Sequence, residues 1–397
     1  MNIKEDPHLI DFLENRHLKP ASIDQYTRQL KQYCKFTKKT PTELIEEAED
    51  EEEERIRMKN RKIKKYLQQY VQHLKAENKS PNYITNCMGT IKTFYREFEI
   101  ELPHLRCNIH DEDKLITIKD IPTKEDIKKV LKYANLRYTA IIKLMMSSGM
   151  GQAEVRHLTI DDYLKAHEIT NFDMSDIDGL MQLLQEKENN IPIWSIRRIK
   201  TGMPYITFSS PESNRAINAF LEDKIRKETI SKEDILFGFE GNVMKAKSVS
   251  MYFSRLNDTA GFGWYGRQRF FRSHSLRKFF ASTLKNNGFD SLDSEWLIGH
   301  KVSKMTEAYI KPDIYRLKKD YLDVLPYLSI EKIKTVTIES DEVKGIKDEL
   351  QKEREARLNS EERIKEEVYK EFGWIFEGLK NSPAARKELE KFRPKDP

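Results

Sequence analysis

Residues 273–309 read SHSLRKFFASTLKNNGFDSLDSEWLIGHKVSKMTEAY, and this stretch predicts both the fold and the chemistry of the chain. His274 and Arg277 are three positions apart, so on a helix their side chains share one face, one turn apart. His300 follows a glycine, and Tyr309 comes nine residues later, after a short polar segment. A phosphodiester under attack needs donors on its non-bridging oxygens and a nucleophile held in line. The stretch therefore offers both the donors and the nucleophile, without any metal.

The order and spacing of these residues resemble the catalytic signature of tyrosine recombinases and phage-type integrases. That signature is H-x-L-R, then L-G-H, then a nucleophilic tyrosine about nine residues on; here HSLR occupies 274–277, IGH occupies 298–300, and Tyr309 follows. Each piece alone is weak, but the order, the spacing and the helical context make the composite specific. Type IB topoisomerases share the C-terminal pattern more loosely and are the competing interpretation.

The resemblance implies a mainly α fold with a small antiparallel β-hairpin, divided into a helical core-binding domain and a mixed α/β catalytic domain. With 397 residues, two or three domains are expected. We predict a DNA-clamping helical domain at 1–115, a catalytic domain at 116–330 and a charged helical tail at 331–397. The tail either docks on a neighbouring protomer or stays solvated.

The departure from the family pattern lies at residues 148–158, SGMGQAEVRHL, where T-G-x-R-x-x-E is usual. Glu154 falls into register in a supporting position, but Gly151 stands where the first phosphate-binding arginine is expected. Arg156 could substitute, although five helical positions place it about 140° round from Gly151. Another arginine could reach in instead, or the chain could be catalytically impaired. The candidates for that second possibility are Arg272, Arg197 and Arg198.

Residues 192–208 read as a β-hairpin, with two β-rich runs on either side of a Lys-Thr-Gly turn. A lysine near such a turn is ordinarily a solubilising residue. The resemblance, however, assigns Lys200 to the position of the general acid that protonates the leaving 5′ oxygen.

The resemblance also implies the remaining roles. Tyr309 is the nucleophile that forms a 3′-phosphotyrosyl bond, Arg277 and His274 stabilise charge on the phosphate, and His300 binds the phosphate or orients the tyrosine. No cofactor and no metal are implied. The implied partners are double-stranded DNA and further copies of the chain, most naturally in a tetramer on DNA. Two alternatives stay open: a DNA-binding protein that cannot cut, because of Gly151, and an enzyme that only relaxes DNA.

The net charge is only +5, so the distribution of charge says more about DNA than the sum. Acids concentrate at 46–54 and beyond 340, whereas basic clusters occur at 55–65, 197–200 and 267–278. Solvated helix faces are the plain alternative for such clusters. The candidate DNA contacts are Arg28, Lys31, Lys79 and Lys92 in the helical domain, and Arg267 and Arg269 in the aromatic segment 261–271.

No run of eighteen apolar residues occurs, so no membrane span is expected. The first residues lack an apolar signal region, and the three cysteines, Cys34, Cys87 and Cys107, are far apart. That pattern favours a reducing cytoplasm and disfavours a zinc site or a disulfide framework.

Overall fold

The computed structural model describes residues 3–105, 120–170, 172–301 and 313–331. The chain divides into two units, Met1–Thr117 and Ile118–Pro397, and each has its own hydrophobic core. The predicted nucleophile Tyr309 and residues 332–397 of the predicted tail lie outside the described residues.

Helices make up the described part of the N-terminal unit, and most of them begin at a proline. Proline suits the first helical position because its missing N–H would have no partner there and its φ is already helical. Thr40 caps the third helix with a full capping box, in which Glu43 returns the hydrogen bond. The helices are α1 (Pro7–Glu14), α2 (Pro20–Thr37), α3 (Pro41–Glu53), α4 (Lys62–Ala76) and α5 (Pro81–Glu97).

The charge-segregated stretch after residue 43 forms two helices rather than one. α3 ends at Glu53, and Arg55 adopts a left-handed φ of 55°, which a continuous helix cannot contain. Buried Glu51 then accepts the backbone N–H of Lys62, where α4 begins. The structure therefore has a pair of helices, α3 and α4, in place of one continuous helix.

The aromatic stripe of the N-terminal unit packs inside that unit. Tyr33, Tyr70 and Tyr95 are at most 1% exposed, and their rings meet edge to face. Phe94 and Phe12 pack in the same core. These rings are therefore core residues and not a platform for stacking DNA bases.

The C-terminal unit carries helices around two small antiparallel hairpins, which confirms the predicted fold class. Its first helix ends at Leu131, and Asn135 caps the next helix by accepting from Tyr138 N–H. Thr123 and Asp126 form a capping box at the start of that first helix. Its elements are α6 (Lys124–Leu131), α7 (Leu136–Ser148), α8 (Gln152–His157), α9 (Ile160–Ala166), α10 (Ile177–Glu186), β1 (Ile193–Arg197), β2 (Pro204–Phe208), α11 (Pro211–Ile225), α12 (Ala246–Thr259), β3 (Trp264–Tyr265), β4 (Gln268–Arg269), α13 (Ser273–Asn286), α14 (Ser291–Leu297) and α15 (Ile314–Leu328).

Helix α7 is the central element of this unit and packs against α11, α13 and α15. Its C-terminal end collects hydrogen bonds from distant segments. The hydroxyl of Thr207 on β2 donates to the carbonyl of Ser148 across 2.7 Å, and Tyr321 on α15 donates to the carbonyl of Ser147 across 2.7 Å. The end of α7 is thereby fixed against the hairpin and against the last described helix.

The hairpin of β1 and β2 is confirmed where it was predicted, with Ile193 opposite Phe208 and Arg197 opposite Pro204. Trp194 anchors it, since its indole is fully buried and donates to the hydroxyl of Ser209 across 2.9 Å. Among the described residues, no helix is long and apolar enough to cross a bilayer.

Candidate active site

Arg277 joins the three segments that carry the sequence motifs. It lies on α13, is only 6% exposed, and donates from Nη1 to the carbonyl of Gly149 across 2.6 Å. Its Nη2 donates to the carbonyl of Ile298, immediately before the Gly-His pair. The loop after α7, helix α13 and the segment before His300 therefore meet at one guanidinium.

Two glycines make this meeting possible. Gly149 ends α7 with φ of 65°, and a Cβ there would lie 2.3 Å from the ring of Phe280. Gly299 has φ of 63°, and its Cβ would lie 2.7 Å from the ring of Tyr205 on β2. Both positions exclude a side chain on two grounds, the left-handed backbone and the lack of space.

The electrostatics around Arg277 are those of a crowded cationic pocket. Burial, followed by repulsion from Arg198, lowers the pKa of Arg277 to about 10. The group therefore stays protonated at neutral pH. Burial also raises the pKa of the neighbouring Tyr205 phenol well above its ordinary value, so that phenol stays neutral.

Glu154 ties the β1–β2 hairpin to this pocket. It is 6% exposed on α8, accepts the backbone N–H of Ile199 across 3.3 Å, and lies 3.7 Å from Nε of Arg198. The turn closes on itself because Arg198 N–H donates to the carbonyl of Met203 and Gly202 N–H donates to the carbonyl of Arg198. Lys200 lies exposed in this turn, so a single buried carboxylate holds the loop that carries the predicted general acid.

Gly151 caps the N-terminal end of α8, and the arginines predicted as substitutes differ in where they point. Arg156 donates from Nε to the carbonyl of Met244 across 2.5 Å, toward the loop before α12. Arg272 donates to the carbonyl of Arg269 across 2.9 Å.

The two adjacent arginines of the hairpin also differ from each other. Exposed Arg197 donates to the carbonyl of Gly202 across 3.2 Å. Arg198, by contrast, lies beside Gly151, where the family arginine is missing. A Cβ built on Gly151 would be 4.0 Å from Nη1 of Arg198.

His274 lies in the first turn of α13, one turn before Arg277, with an exposed ring. Partial loss of water lowers the pKa of His274 below its ordinary value, as do the nearby charges of Lys278 and Arg272. Its neighbour Ser273 donates to the side-chain oxygen of Gln152 across 3.1 Å, which places the start of α13 beside α8.

His300 is exposed and pairs through Nδ1 with the carboxylate of Glu295. The same carboxylate accepts from Lys285 across 2.9 Å. A ring nitrogen bonded to a carboxylate is fixed in orientation, which leaves Nε2 as the atom available to a substrate or to a tyrosine.

Tyr309 lies outside the described residues, but three later tyrosines, Tyr315, Tyr321 and Tyr327, lie within them. Tyr321 is fully buried, donates to Ser147, and has its pKa raised by burial, so it is a structural residue. Tyr315 is 71% exposed and Tyr327 is 52% exposed, on α15.

The candidate DNA contacts of the N-terminal unit fall on the packed pair α2 and α5. Arg28 and Lys31 are exposed on α2, and Lys92 is half-buried on α5. Lys79 lies just before α5, 5.9 Å from the ring centre of Tyr83 and 3.4 Å from Glu77. They remain predictions of a DNA-facing surface.

The segment 261–271 divides its aromatic and basic residues between packing and exposure. Phe271 is buried and Trp264 is 63% exposed at the β3–β4 hairpin. Arg269 stacks 4.7 Å from the ring centre of Trp264 and pairs with Asp258 across 2.8 Å, whereas Arg267 is exposed in the turn. The charge of Arg269 is therefore balanced by Asp258, and both Arg267 and Arg269 remain predicted DNA contacts.

Comparison with known proteins finds relatives among recombinases and integrases. A family model described as the phage integrase family matches residues 121–316. The tyrosine recombinase XerC of Rickettsia bellii (strain RML369-C) is 26% identical over 267 residues, which cover 63% of this chain and 77% of that protein. XerC of Rickettsia prowazekii (strain Madrid E) is 24% identical over 268 residues, or 64% of this chain and 76% of that protein.

Among solved structures, the fold is similar to that of the Tn1549 transposon integrase in complex with transposon right end DNA. The TM-score is 0.50 and the sequence identity 14%, and the match covers 80% of this chain and 98% of that one. The likeness supports the fold described above.

Proposed function

Because this chain belongs to the tyrosine recombinase family, we propose that it cuts and rejoins double-stranded DNA at specific sites through a 3′-phosphotyrosyl intermediate. The observation that carries the proposal is the position of Arg277. Its guanidinium lies between the loop of Gly149 and the Ile298 carbonyl that precedes His300. The same pocket is joined through Glu154 to the turn that holds Lys200.

In the cleavage step, the phenolic oxygen of Tyr309 attacks phosphorus and the bond from phosphorus to the 5′ oxygen breaks. The phenol proton passes to Nε2 of His300, whose Nδ1 is held by Glu295. Lys200 gives a proton to the departing 5′ oxygen. Religation runs the same transfers backward, so the bond energy is kept and no nucleotide cofactor is consumed.

Charge on the non-bridging oxygens is stabilised by Arg277 and His274. Arg277 has five N–H donors, and its two carbonyl contacts use only two of them, so donors remain for a phosphate. The lowered pKa of His274 favours its neutral ring, which has one N–H to donate to a phosphate oxygen.

Exchange between two duplexes requires four strand cuts, so the proposed working form is a homotetramer on DNA. A second candidate function follows from Gly151 alone: a DNA-binding protein with this fold that lacks one phosphate-binding arginine and does not cut.

The test uses nicked duplexes with a randomised core, in which a short 5′-hydroxyl fragment escapes after cleavage and traps the covalent complex. Adducts are recovered on denaturing gels and their DNA is sequenced. The proposal predicts adducts with an enriched sequence that Tyr309→Phe abolishes while binding is kept. Binding without an adduct supports the non-cutting candidate. Adducts without sequence enrichment, together with plasmid relaxation, would indicate a topoisomerase-like activity instead.

A further inference from the structure

We propose that Arg198, in the turn of the β1–β2 hairpin, supplies the second guanidinium to the scissile phosphate and so performs the work of the arginine that Gly151 lacks. The inference rests on the proposed function, since it concerns the same cleavage step. The sequence alone leaves several arginines as possible substitutes for the missing one, and this inference selects Arg198 among them.

The position of Arg198 supports this assignment first. Its Nη1 lies 4.0 Å from where a Cβ would stand on Gly151, and it donates to the carbonyl of Ile298 across 3.4 Å. Arg277 donates to that same carbonyl. Two guanidiniums from different elements therefore share one acceptor at the centre of the motif residues.

The charge of the pocket is the second argument for Arg198. Arg198 has an 18% exposed side chain and Glu154 a 5% exposed one, so both are largely withdrawn from water. Glu154 opposes the two guanidiniums of Arg198 and Arg277 with a single negative charge, which leaves the pocket with an excess of one positive charge. An anion that contacts both guanidiniums relieves their repulsion, and a phosphodiester is such an anion.

The contacts of Arg198 support it third, because they leave donors for a ligand. The distance of 3.4 Å to Ile298 is long for a hydrogen bond, and the 3.7 Å separation from Glu154 is an ion-pair distance. The guanidinium is therefore oriented by its neighbours without being fully used by them. Arg156 and Arg272 hold shorter contacts, of 2.5 Å and 2.9 Å, with carbonyls of other segments.

The experiment measures single-turnover cleavage of a nicked duplex recovered from the randomised pool. We expect Arg198→Ala to slow adduct formation about 10²- to 10³-fold, the usual effect of removing one donor to a developing oxyanion. Arg197→Ala is the matched control, since it removes an adjacent exposed arginine of the same hairpin and should stay within about threefold of wild type.

A second substrate separates a contact with the phosphate from loosening of the hairpin. Replacing a non-bridging oxygen by methyl removes the negative charge of the phosphate, so a missing guanidinium should matter far less. We expect the Arg198→Ala defect to shrink to within about tenfold on this methylphosphonate. An equal defect on both substrates would mean that Arg198 only positions the turn, and would overturn the assignment.

Restoring the family arginine gives a reciprocal readout. Gly151→Arg alone should give no gain, because its charge would add to those of Arg198 and Arg277, which already repel each other. In the Arg198→Ala background the same change should recover part of the lost rate. A large gain from Gly151→Arg alone would show that the wild-type pocket lacks a guanidinium and would refute the inference.

The two proposals fail differently. Absence of any Tyr309-dependent adduct from the wild-type chain would refute the proposed function and the inference with it. Normal wild-type cleavage that Arg198→Ala leaves unchanged would refute the inference alone.

Discussion

Nη1 of Arg277 and the carbonyl oxygen of Gly149 are joined by a 2.6 Å hydrogen bond, although 128 positions separate them in the chain. The guanidinium that is proposed to bind phosphate is thus also a structural link between the end of α7 and helix α13. Both acceptor carbonyls, of Gly149 and Ile298, belong to buried residues. Stability and catalysis are therefore predicted to fail together at this position.

Arg277→Ala should lower the free energy of unfolding by about 1–3 kcal/mol, because the buried Gly149 carbonyl loses the Arg277 donor and the Ile298 carbonyl keeps only the long 3.4 Å contact from Arg198. Urea unfolding followed by tryptophan fluorescence measures this, since all four tryptophans (residues 194, 264, 296 and 374) lie in the C-terminal unit. Arg226→Ala, which removes an exposed pair with Glu222, is the control and should change stability by less than about 0.5 kcal/mol. An unchanged unfolding midpoint for Arg277→Ala would contradict the structural role.

Lys200→Met should reduce cleavage of ordinary DNA about 10²- to 10⁴-fold, the range for loss of general acid catalysis. A substrate with sulfur in place of the 5′ bridging oxygen should restore most of the rate, because a thiolate leaves without a proton. The two substrates are compared in single-turnover assays, with Lys227→Met, an exposed lysine paired with Asp223, as the control. If sulfur fails to rescue Lys200→Met, then Lys200 is not the acid.

Gly299→Ala should disturb the segment before His300 more than backbone strain alone explains, because its Cβ would meet the ring of Tyr205 at 2.7 Å. Gly288→Ala is a close control, since that glycine has φ of 85° but no atom of the part of the chain that the structure describes lies within 4 Å of where its Cβ would be. We expect Gly288→Ala to cost about 1 kcal/mol of stability and to cleave normally. Gly299→Ala should cost more and lose cleavage; equal effects in both assays would refute the packing argument.

His167 should make the fold sensitive to acid. It is 4% exposed, neither ring nitrogen has a hydrogen-bond partner among the described residues, and burial lowers its pKa from 6.5 to about 4. The neutral ring is favoured in the folded state, so its contribution is complete above pH 6.5 and is lost as the pH falls toward 4.

Between pH 7 and pH 4.5 this single group should cost about 2 kcal/mol of folding free energy. His167→Phe removes the titrating group, so its stability should fall less over that interval than that of the wild type. Urea unfolding of both chains at the two pH values measures the difference. Parallel losses in the two chains would show that His167 does not contribute.

The parts of the site that the sequence predicts are those in which residue type and spacing determine geometry. His274 and Arg277 lie one turn apart because they are three helical positions apart, and Lys200 lies in a hairpin turn because two β-rich runs surround Lys-Thr-Gly. The sequence also identifies Gly151 as the position without its arginine.

The direction of individual side chains could not be predicted in the same way. Arg197 and Arg198 are adjacent and equally basic, and they are distinguished by Glu154, which lies 44 positions before Arg198 and approaches it only in the folded unit. The same holds for Arg156, whose contact with Met244 spans 88 positions. Such long-range pairings depend on the packing of α8 against the hairpin and α12, and no local pattern encodes them.

The turn of the β1–β2 hairpin carries Arg198 and Lys200 two positions apart. Glu154 holds this turn in place through the backbone N–H of Ile199 and the guanidinium of Arg198. Under the proposed roles, the group that neutralises the phosphate and the group that protonates the leaving oxygen are therefore held in the pocket by the same turn, and both are lost if the turn moves away. A DNA duplex that displaces the turn would remove both groups from the site at once. Cleavage of correct and incorrect DNA would then differ by the loss of two catalytic contributions and not of one.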